Sequence, residues 1–503
     1  MLATICSATL AGLEAVPVAV EVDVGPGLPT FTIVGLPDAA VQEARERVRA
    51  AIRNSGYAMP PRRIVVNLAP ADRRKEGPAL DLPIALGVLV ATGQLPADAV
   101  DGYVALGELA LDGALRPVPG VLSVAETVRR TRARGLLAPA ASAGEAAVVE
   151  EVRVYALASL RAVVDHLTGV HPVPPAPPPV CAGVRQTSPL DLADVRGQPA
   201  ACRALEVAAA GGLNLLLVGP PGVGKTMLAR RLPTILPPLS RDEAVDVTRI
   251  YSVAGRLPAG AGLVWERPFR APHHTASASA LAGGGVMPRP GEVTLAHHGV
   301  LFLDELPEFR HDALEVLRQP LEEGVITVAR VHGVVRFPAR FMLVAAMNPC
   351  PCGFRGDPQR PCRCTPAQVR RYLARLSGPL LDRIDMHVEV PRPPTDAVLA
   401  GKPGEGSAAV RARVVAARAR AQDRRRQGIG DGALPEAGPM AAEALAFVRQ
   451  CADRLLLGGR ATRRLLRVAR AIADLEGAAA VQVGHVAEAA RYRVFDRAAP
   501  TRA

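Results

Sequence analysis

Lysine is almost missing from this chain: of its 60 basic residues only Lys75, Lys225 and Lys402 are lysines, and the rest are arginines. A coding bias toward arginine gives that pattern without selection for any ligand, so a net charge of +12 does not by itself establish a polyanion partner. Aromatic residues make up 3% of the chain, too few for an extended base-stacking platform. Long apolar runs are also missing. The longest, Leu82 to Ala91, stops at Thr92-Gly-Gln and is too short to span a bilayer. No basic segment precedes an apolar one at the N-terminus, where Val16, Val18, Val20, Val22 and Val24 alternate as in a strand, not a signal peptide. These absences predict a cytoplasmic protein with no membrane partner. In that compartment eight cysteines are expected as thiols or metal ligands, not disulfides.

What is present is unevenly distributed. At 503 residues the chain exceeds one ordinary core. From Gly401 to Ala503 there are 19 Lys and Arg against 10 Asp and Glu, so most of the positive surplus sits in the last fifth. Pro172 to Pro179 holds six prolines in eight residues and reads as an extended spacer. The expected division is residues 1–170, a Pro-rich linker 171–188, a core 189–394 and a basic helical region 395–503. In the first part Val16–Val24, Thr30–Val34 and Ile64–Leu68 read as strands, and Asp38 caps a helix running to about Ser55. In the core, Leu213–Val218, Val300–Leu303, Phe341–Met347 and His387–Val390 are short apolar runs between helical patterns, which predicts a covered, mostly parallel sheet. Beyond Thr395 the pattern is helical, most clearly over Arg411–Arg426 and Arg460–Asp474.

Gly219-Pro220-Pro221-Gly222-Val223-Gly224-Lys225-Thr226 follows an apolar strand and opens a helix, the context in which a glycine-rich loop holds phosphates. Backbone N–H groups and the helix N-terminus favour the anion, Lys225 reaches the terminal phosphates and Thr226 offers a hydroxyl to Mg²⁺. One of only three lysines falls where a compact ammonium is needed. Val300–Leu303 ends in Asp304 and Glu305. Asp304 suits the Mg²⁺ shell, and Glu305 suits polarisation of an attacking water, which points to ATP hydrolysis. The third strand ends at Asn348, whose amide can hold that water, although an Asn there also serves as a turn residue.

Cys350-Pro-Cys352 and Cys362-Arg-Cys364 are two C-x-C pairs nine residues apart in a Pro/Gly-rich loop. Four thiolates satisfy tetrahedral Zn²⁺, and a set of reduced loop thiols is the alternative. His273-His274 and His297-His298 are two further pairs. Neighbours on a strand point to opposite faces, so a structural role is expected before metal ligation. Val325 to Phe337, with Thr327, Ala329 and Val331 flanking Arg330 and His332, alternates like a hairpin.

Residues Asn214 to Val390, including Ala271-Pro-His-His-Thr275, Gly283-Gly-Gly285, Pro290-Gly-Glu-Val-Thr-Leu-Ala296 and Leu380-Leu-Asp-Arg383-Ile-Asp385, resemble the magnesium-chelatase-like AAA+ ATPases. That resemblance implies that Asn348 is sensor 1, that Arg383 is an arginine finger completing a neighbour's site, and that Arg460 in Gly-Gly-Arg460-Ala-Thr-Arg-Arg is similar to sensor 2. The position two before Arg460, where that pattern has a serine, is Gly458. For Arg383 the alternative is a surface salt bridge. The resemblance also makes Gly255–Ala296 the helix-2 insert, facing a ring's channel together with the hairpin.

Val34-Gly-Leu-Pro-Asp-Ala-Ala-Val41, Asn67-Leu-Ala-Pro-Ala-Asp72 and Lys75-Glu-Gly-Pro-Ala-Leu-Asp81-Leu-Pro-Ile-Ala-Leu86 look like the N-terminal domain of the ComM/YifB family, which resembles the Lon protease (ribosomal S5 domain 2-like) α+β fold. Ala79 stands where a Lon-type serine would follow Gly-Pro, and Pro117 to Ala125 contains no lysine. A methyl group cannot attack a carbonyl, so proteolysis is not expected, and Ser123 is expected to pack or cap. The implied whole is an α/β multidomain protein: a Lon-like domain, an AAA+ parallel sheet and a helical lid. The implied activity is that of a hexameric ATP-dependent DNA motor promoting branch migration of recombination intermediates. A motor for Mg²⁺ insertion into a tetrapyrrole and an ATP-gated regulatory protein are the alternatives, and the Lon-like domain argues against the first. With few aromatics, DNA contact would rest on backbone charge.

Overall fold

The computed structural model describes residues 2–178, 189–258, 260–285, 288–330, 333–399, 403–427 and 437–493. Val331, His332 and Lys402, the end of the Pro-rich segment (179–188) and the last ten residues lie outside the described residues.

The N-terminal part is built on a seven-stranded sheet ordered Phe31–Val34, Arg63–Ala69, Glu14–Gly25, Leu2–Ala11, Tyr103–Ala105, Gly135–Pro139, Val154–Leu157. Leu2–Ala11 and Glu14–Gly25 pair antiparallel with Ile5 opposite Val20, and the alternating Val18, Val20, Val22 and Val24 all point into the core. Helix Ala39–Asn54 begins where expected, with the Asp38 carboxylate accepting from the Val41 N–H at 2.8 Å. The apolar run near Leu82 is a wholly buried helix, Asp81–Ala91. A Cβ on Gly87 would stand 2.4 Å from Val22 Cγ2, so that glycine lets the helix lie directly on the sheet.

Four of the seven strands escaped the sequence reading. Leu2–Ala11 alternates in burial, but its inward residues include alanine and serine beside isoleucine, which leaves little apolar contrast. The others are short and fully buried or nearly so, without a period. Of the Pro-rich spacer, residues 172–178 run without helix or strand, and the Ala176 N–H donates to the Val154 carbonyl at 2.7 Å, so the spacer docks on the sheet edge.

The core carries five parallel strands ordered Phe269–Arg270, Val300–Leu303, Met342–Met347, Leu215–Val218, Met386–Glu389. The three central strands are fully buried, as a sheet covered on both faces requires. They are neighbours, so the residues that follow their C-terminal ends share one edge. The predicted hairpin forms from Val325–Arg330 and Gly333–Pro338, with Ile326 opposite Phe337. Helices Ser407–Arg426, Ala442–Arg454, Gly459–Leu475 and Val483–Arg491 make the C-terminal region. The third of these packs on helix Pro199–Gly211, with Arg203 and Glu488 bonded at 2.9 Å alongside. Between the first two parts the Gly120 N–H donates to Ser252 Oγ at 2.8 Å and Arg249 pairs with Glu126 at 2.9 Å.

Candidate functional site

The glycine-rich loop runs from strand Leu215–Val218 into helix Lys225–Ile235. Gly222 and Gly224 hold φ of +79° and +90°, a region in which a Cβ is strained. At Gly219 a Cβ would lie 2.2 Å from the Val390 carbonyl oxygen, so that glycine is fixed by close approach. The buried Lys225 Nζ donates to the carbonyls of Gly219 (2.7 Å) and Pro220 (2.8 Å) and to Asn348 Oδ1 (3.1 Å). Burial holds this ammonium below the ordinary lysine range, and the charges of Asp304 and Glu305 pull the other way. All three acceptors are neutral oxygens, so a phosphate in the loop offers the ammonium a stronger, charged one.

Thr226 Oγ1 donates to Asp304 Oδ2 at 2.7 Å. Adjacent oxygens of this kind are what Mg²⁺ takes when it also holds phosphate, so the residues fit both ATP and its metal. Glu305 has a left-handed backbone, φ +53°, and its N–H donates to Asp304 Oδ1 at 2.9 Å. Glu305 Oε2 lies 3.1 Å from His274 Nδ1, a contact that sequence reasoning missed and that only the tandem histidines hinted at.

Arg383 and Arg460 are brought together, but elsewhere. Both line a cavity of about 550 Å³, with Asp382, Arg463, Arg464 and Arg467, and no residue of the phosphate loop lines it. Within one chain Arg383 pairs with Glu322, Arg464 with Asp382 at 3.2 Å and Arg467 with Asp385 at 3.0 Å. The charge surplus of the last fifth is partly absorbed in the same way. Arg413 bonds Glu206 and Glu405, and Arg424 and Arg470 converge on Asp474. The free positive surface there is smaller than composition suggests.

The four sulfurs of Cys350, Cys352, Cys362 and Cys364 gather within 4.8 Å of one another. Cys350–Cys352, Cys350–Cys362 and Cys352–Cys362 are 3.4, 3.6 and 3.6 Å apart. These distances are too long for a disulfide and near the ~3.8 Å edge of a tetrahedron with ~2.3 Å Zn–S bonds. Backbone N–H groups of Phe354 and Arg363 lower the Cys352 thiol to about 6, toward the thiolate a metal needs. The donor set fits Zn²⁺.

The opposite-face argument for the histidines fails, because neither pair lies on a strand. The rings of His273 and His274 are 4.1 Å apart and those of His297 and His298 3.9 Å, the second pair brought round by a left-handed His298, φ +57°. His297 and His298 even gather with Asp246 within 4.8 Å. However, His297 Nδ1 accepts the Arg340 N–H at 3.0 Å, which puts the ring's own proton on Nε2 and leaves no lone pair there for a metal. Their role is structural, by hydrogen bond and ion pair.

In the N-terminal part Ala79 lines a cavity of about 180 Å³ with Pro78, Leu80, Leu106 and Val124. Ser123 is buried and donates to the Leu13 carbonyl at 2.8 Å, so it packs and caps. The buried Lys75 is spent on the Pro70 and Arg73 carbonyls.

Three family models match the chain: "Magnesium chelatase, subunit ChlI" over residues 191–414, "Subunit ChlI of Mg-chelatase" over 20–142, and "Magnesium chelatase, subunit ChlI C-terminal" over 404–493. The second covers much of the N-terminal part, which therefore does not separate this chain from chelatase subunits as its Lon-like motifs suggested. Among curated proteins, the chain is 45% identical to an uncharacterised protein YifB of Escherichia coli over 97% of its own length and 96% of that protein's. It is 42% identical to competence protein ComM of Haemophilus influenzae, over 99% and 98% respectively.

Proposed function

Because the chain belongs to the ComM/YifB family of magnesium-chelatase-like AAA+ proteins, we propose that it hydrolyses ATP in a ring of identical copies and uses the cycle to move branched DNA. One observation carries the reading. The phosphate loop, Asp304, Glu305 and Asn348 meet at one sheet edge, while Arg383 and Arg460 line a separate cavity. Each copy thus brings one half of a site and the complement of its neighbour's, which favours closed head-to-tail assembly, here a hexamer.

Lys225 and the loop amides bind and orient the triphosphate, and Thr226 and Asp304 would hold Mg²⁺. That ion neutralises charge on the phosphate oxygens when bound. Asn348, already bonded to Lys225, is placed to position the water, and Glu305 takes its proton. The neighbour's Arg383 and Arg460 stabilise the charge that develops as the phosphoryl group leaves. Zn²⁺ at the four cysteines would be structural, bracing the loop that follows Asn348.

The competence protein from Haemophilus, alike along nearly its whole length, supports recombination of incoming DNA as the setting. The test is ATP-dependent branch migration of a synthetic four-way junction by the wild type, Lys225→Ala and Glu305→Gln. Both variants should be inactive, with Glu305→Gln still binding ATP and forming rings. A wild type that hydrolyses ATP but leaves junctions unmoved would refute the DNA-motor reading.

A further inference from the structure

We propose that His274 is a positioning residue that restrains the carboxylate of Glu305 and ties it to the excursion between Ala271 and Gly291. The inference rests on the ATPase reading above, since it concerns the group that would take the proton from water. His274 Nδ1 stands 3.1 Å from Glu305 Oε2, and neither side chain is buried, so the contact can be made and released without disturbing the core.

An exposed His–Glu pair adds little to stability. Its effect here is chemical. A donor beside a carboxylate stabilises the charged form and occupies a lone pair, which makes the carboxylate a weaker base. With His274 in contact, Glu305 is held to the edge-strand side of the site and is less able to accept a proton. Once His274 withdraws, the carboxylate is free to turn to the water held by Asn348.

The surroundings of His274 supply a means of withdrawal. Its ring lies against His273, 4.1 Å away, whose Nδ1 is bonded to Thr275 Oγ1 at 2.9 Å. The three residues join strand Phe269–Arg270 to helix Ala278–Ala282 and the small hairpin of Gly283–Gly284 with Arg289–Pro290. The feet of this excursion are clasped by Arg270 and Glu292 through two bonds of 2.6 and 2.8 Å. Beyond that clasp the excursion moves as a lever pivoting beside His274, and whatever pushes on its tip changes how Glu305 is held.

The test is steady-state ATP hydrolysis by the assembled full-length protein, comparing wild type with His274→Ala, His274→Asn and Glu305→Gln. In His274→Ala, kcat should rise about three- to tenfold with KM within about twofold, because a base is released while binding is untouched. His274→Asn keeps an N–H donor near the place of Nδ1 and should return kcat toward wild type. An unchanged or lower kcat in His274→Ala, or a rise that His274→Asn shares in full, would overturn the proposal. Glu305→Gln separates the two readings: if it hydrolyses ATP at the wild-type rate, the ATPase assignment itself is wrong, whatever His274 does.

Discussion

Replacing Glu145 by glutamine should flatten the response of this protein's stability to pH. Glu145 is 4% exposed and lines a cavity of about 220 Å³ where the N-terminal part meets Ser252 and Gly255 of the core. Its Oε2 has no hydrogen-bond partner among the described residues. Burial raises its pKa from 4.5 to about 7, although bonds from Ser252 and from the Val121 backbone pull it down. The folded pKa therefore lies above the unfolded one, and between the two the native state binds more protons. The group's contribution is complete below the unfolded value and is lost as pH rises through the folded one. At about 1.4 kcal/mol per pKa unit, the loss is on the order of 3 kcal/mol by pH 8, of which about 2 falls between pH 5.5 and 8. Trp265, the single tryptophan, reports locally, since it packs beside Val264 and Leu263 and nearby Ala261 lines the same cavity. Urea unfolding followed by its fluorescence at pH 5.5 and 8 should show Glu145→Gln gaining about 2 kcal/mol on the wild type across that range. Parallel pH responses in the two proteins would refute the reasoning.

Arg383→Ala should lower ATP turnover by about a thousandfold or more if a neighbour's guanidinium stabilises phosphoryl transfer. Mixing that variant with Lys225→Ala should restore part of the rate, which a surface-bridge role for Arg383 cannot produce. Elemental analysis should find one zinc per chain, and the double change Cys362→Ser with Cys364→Ser should lose it. DNA affinity should fall by about tenfold or more between 50 and 200 mM salt, because contact rests on phosphate neutralisation; constant affinity would exclude that mode.

The phosphate loop was legible because its chemistry is local: glycines, a lysine and a hydroxyl within eight residues, between an apolar strand and a helix. Asp304, Glu305 and Asn348 followed from the same logic, each standing just past a recognisable strand. What stayed hidden depends on distant pairings. Nothing in the sequence joins Glu145 to Ser252, or sets Arg340 against His297 so that its N–H fixes the ring's tautomer. The basic C-terminal region misled in the opposite sense, because a count of arginines cannot register that Arg424 and Arg470 share one carboxylate on Asp474. The histidine pairs were misjudged because a left-handed residue such as His298 cancels the alternation that a strand would impose.

A small contact by the cysteines has a consequence for nucleotide chemistry. A Cβ on Gly353 would fall 2.7 Å from Pro221 Cδ and 3.8 Å from Asn348 Cγ, so the sulfur knot leans on the loop that would grip phosphate. Oxidants or chelators that loosen the knot would therefore blunt fuel use long before the chain unravels, making thiol damage a brake on the enzyme and not merely a wound to its fold.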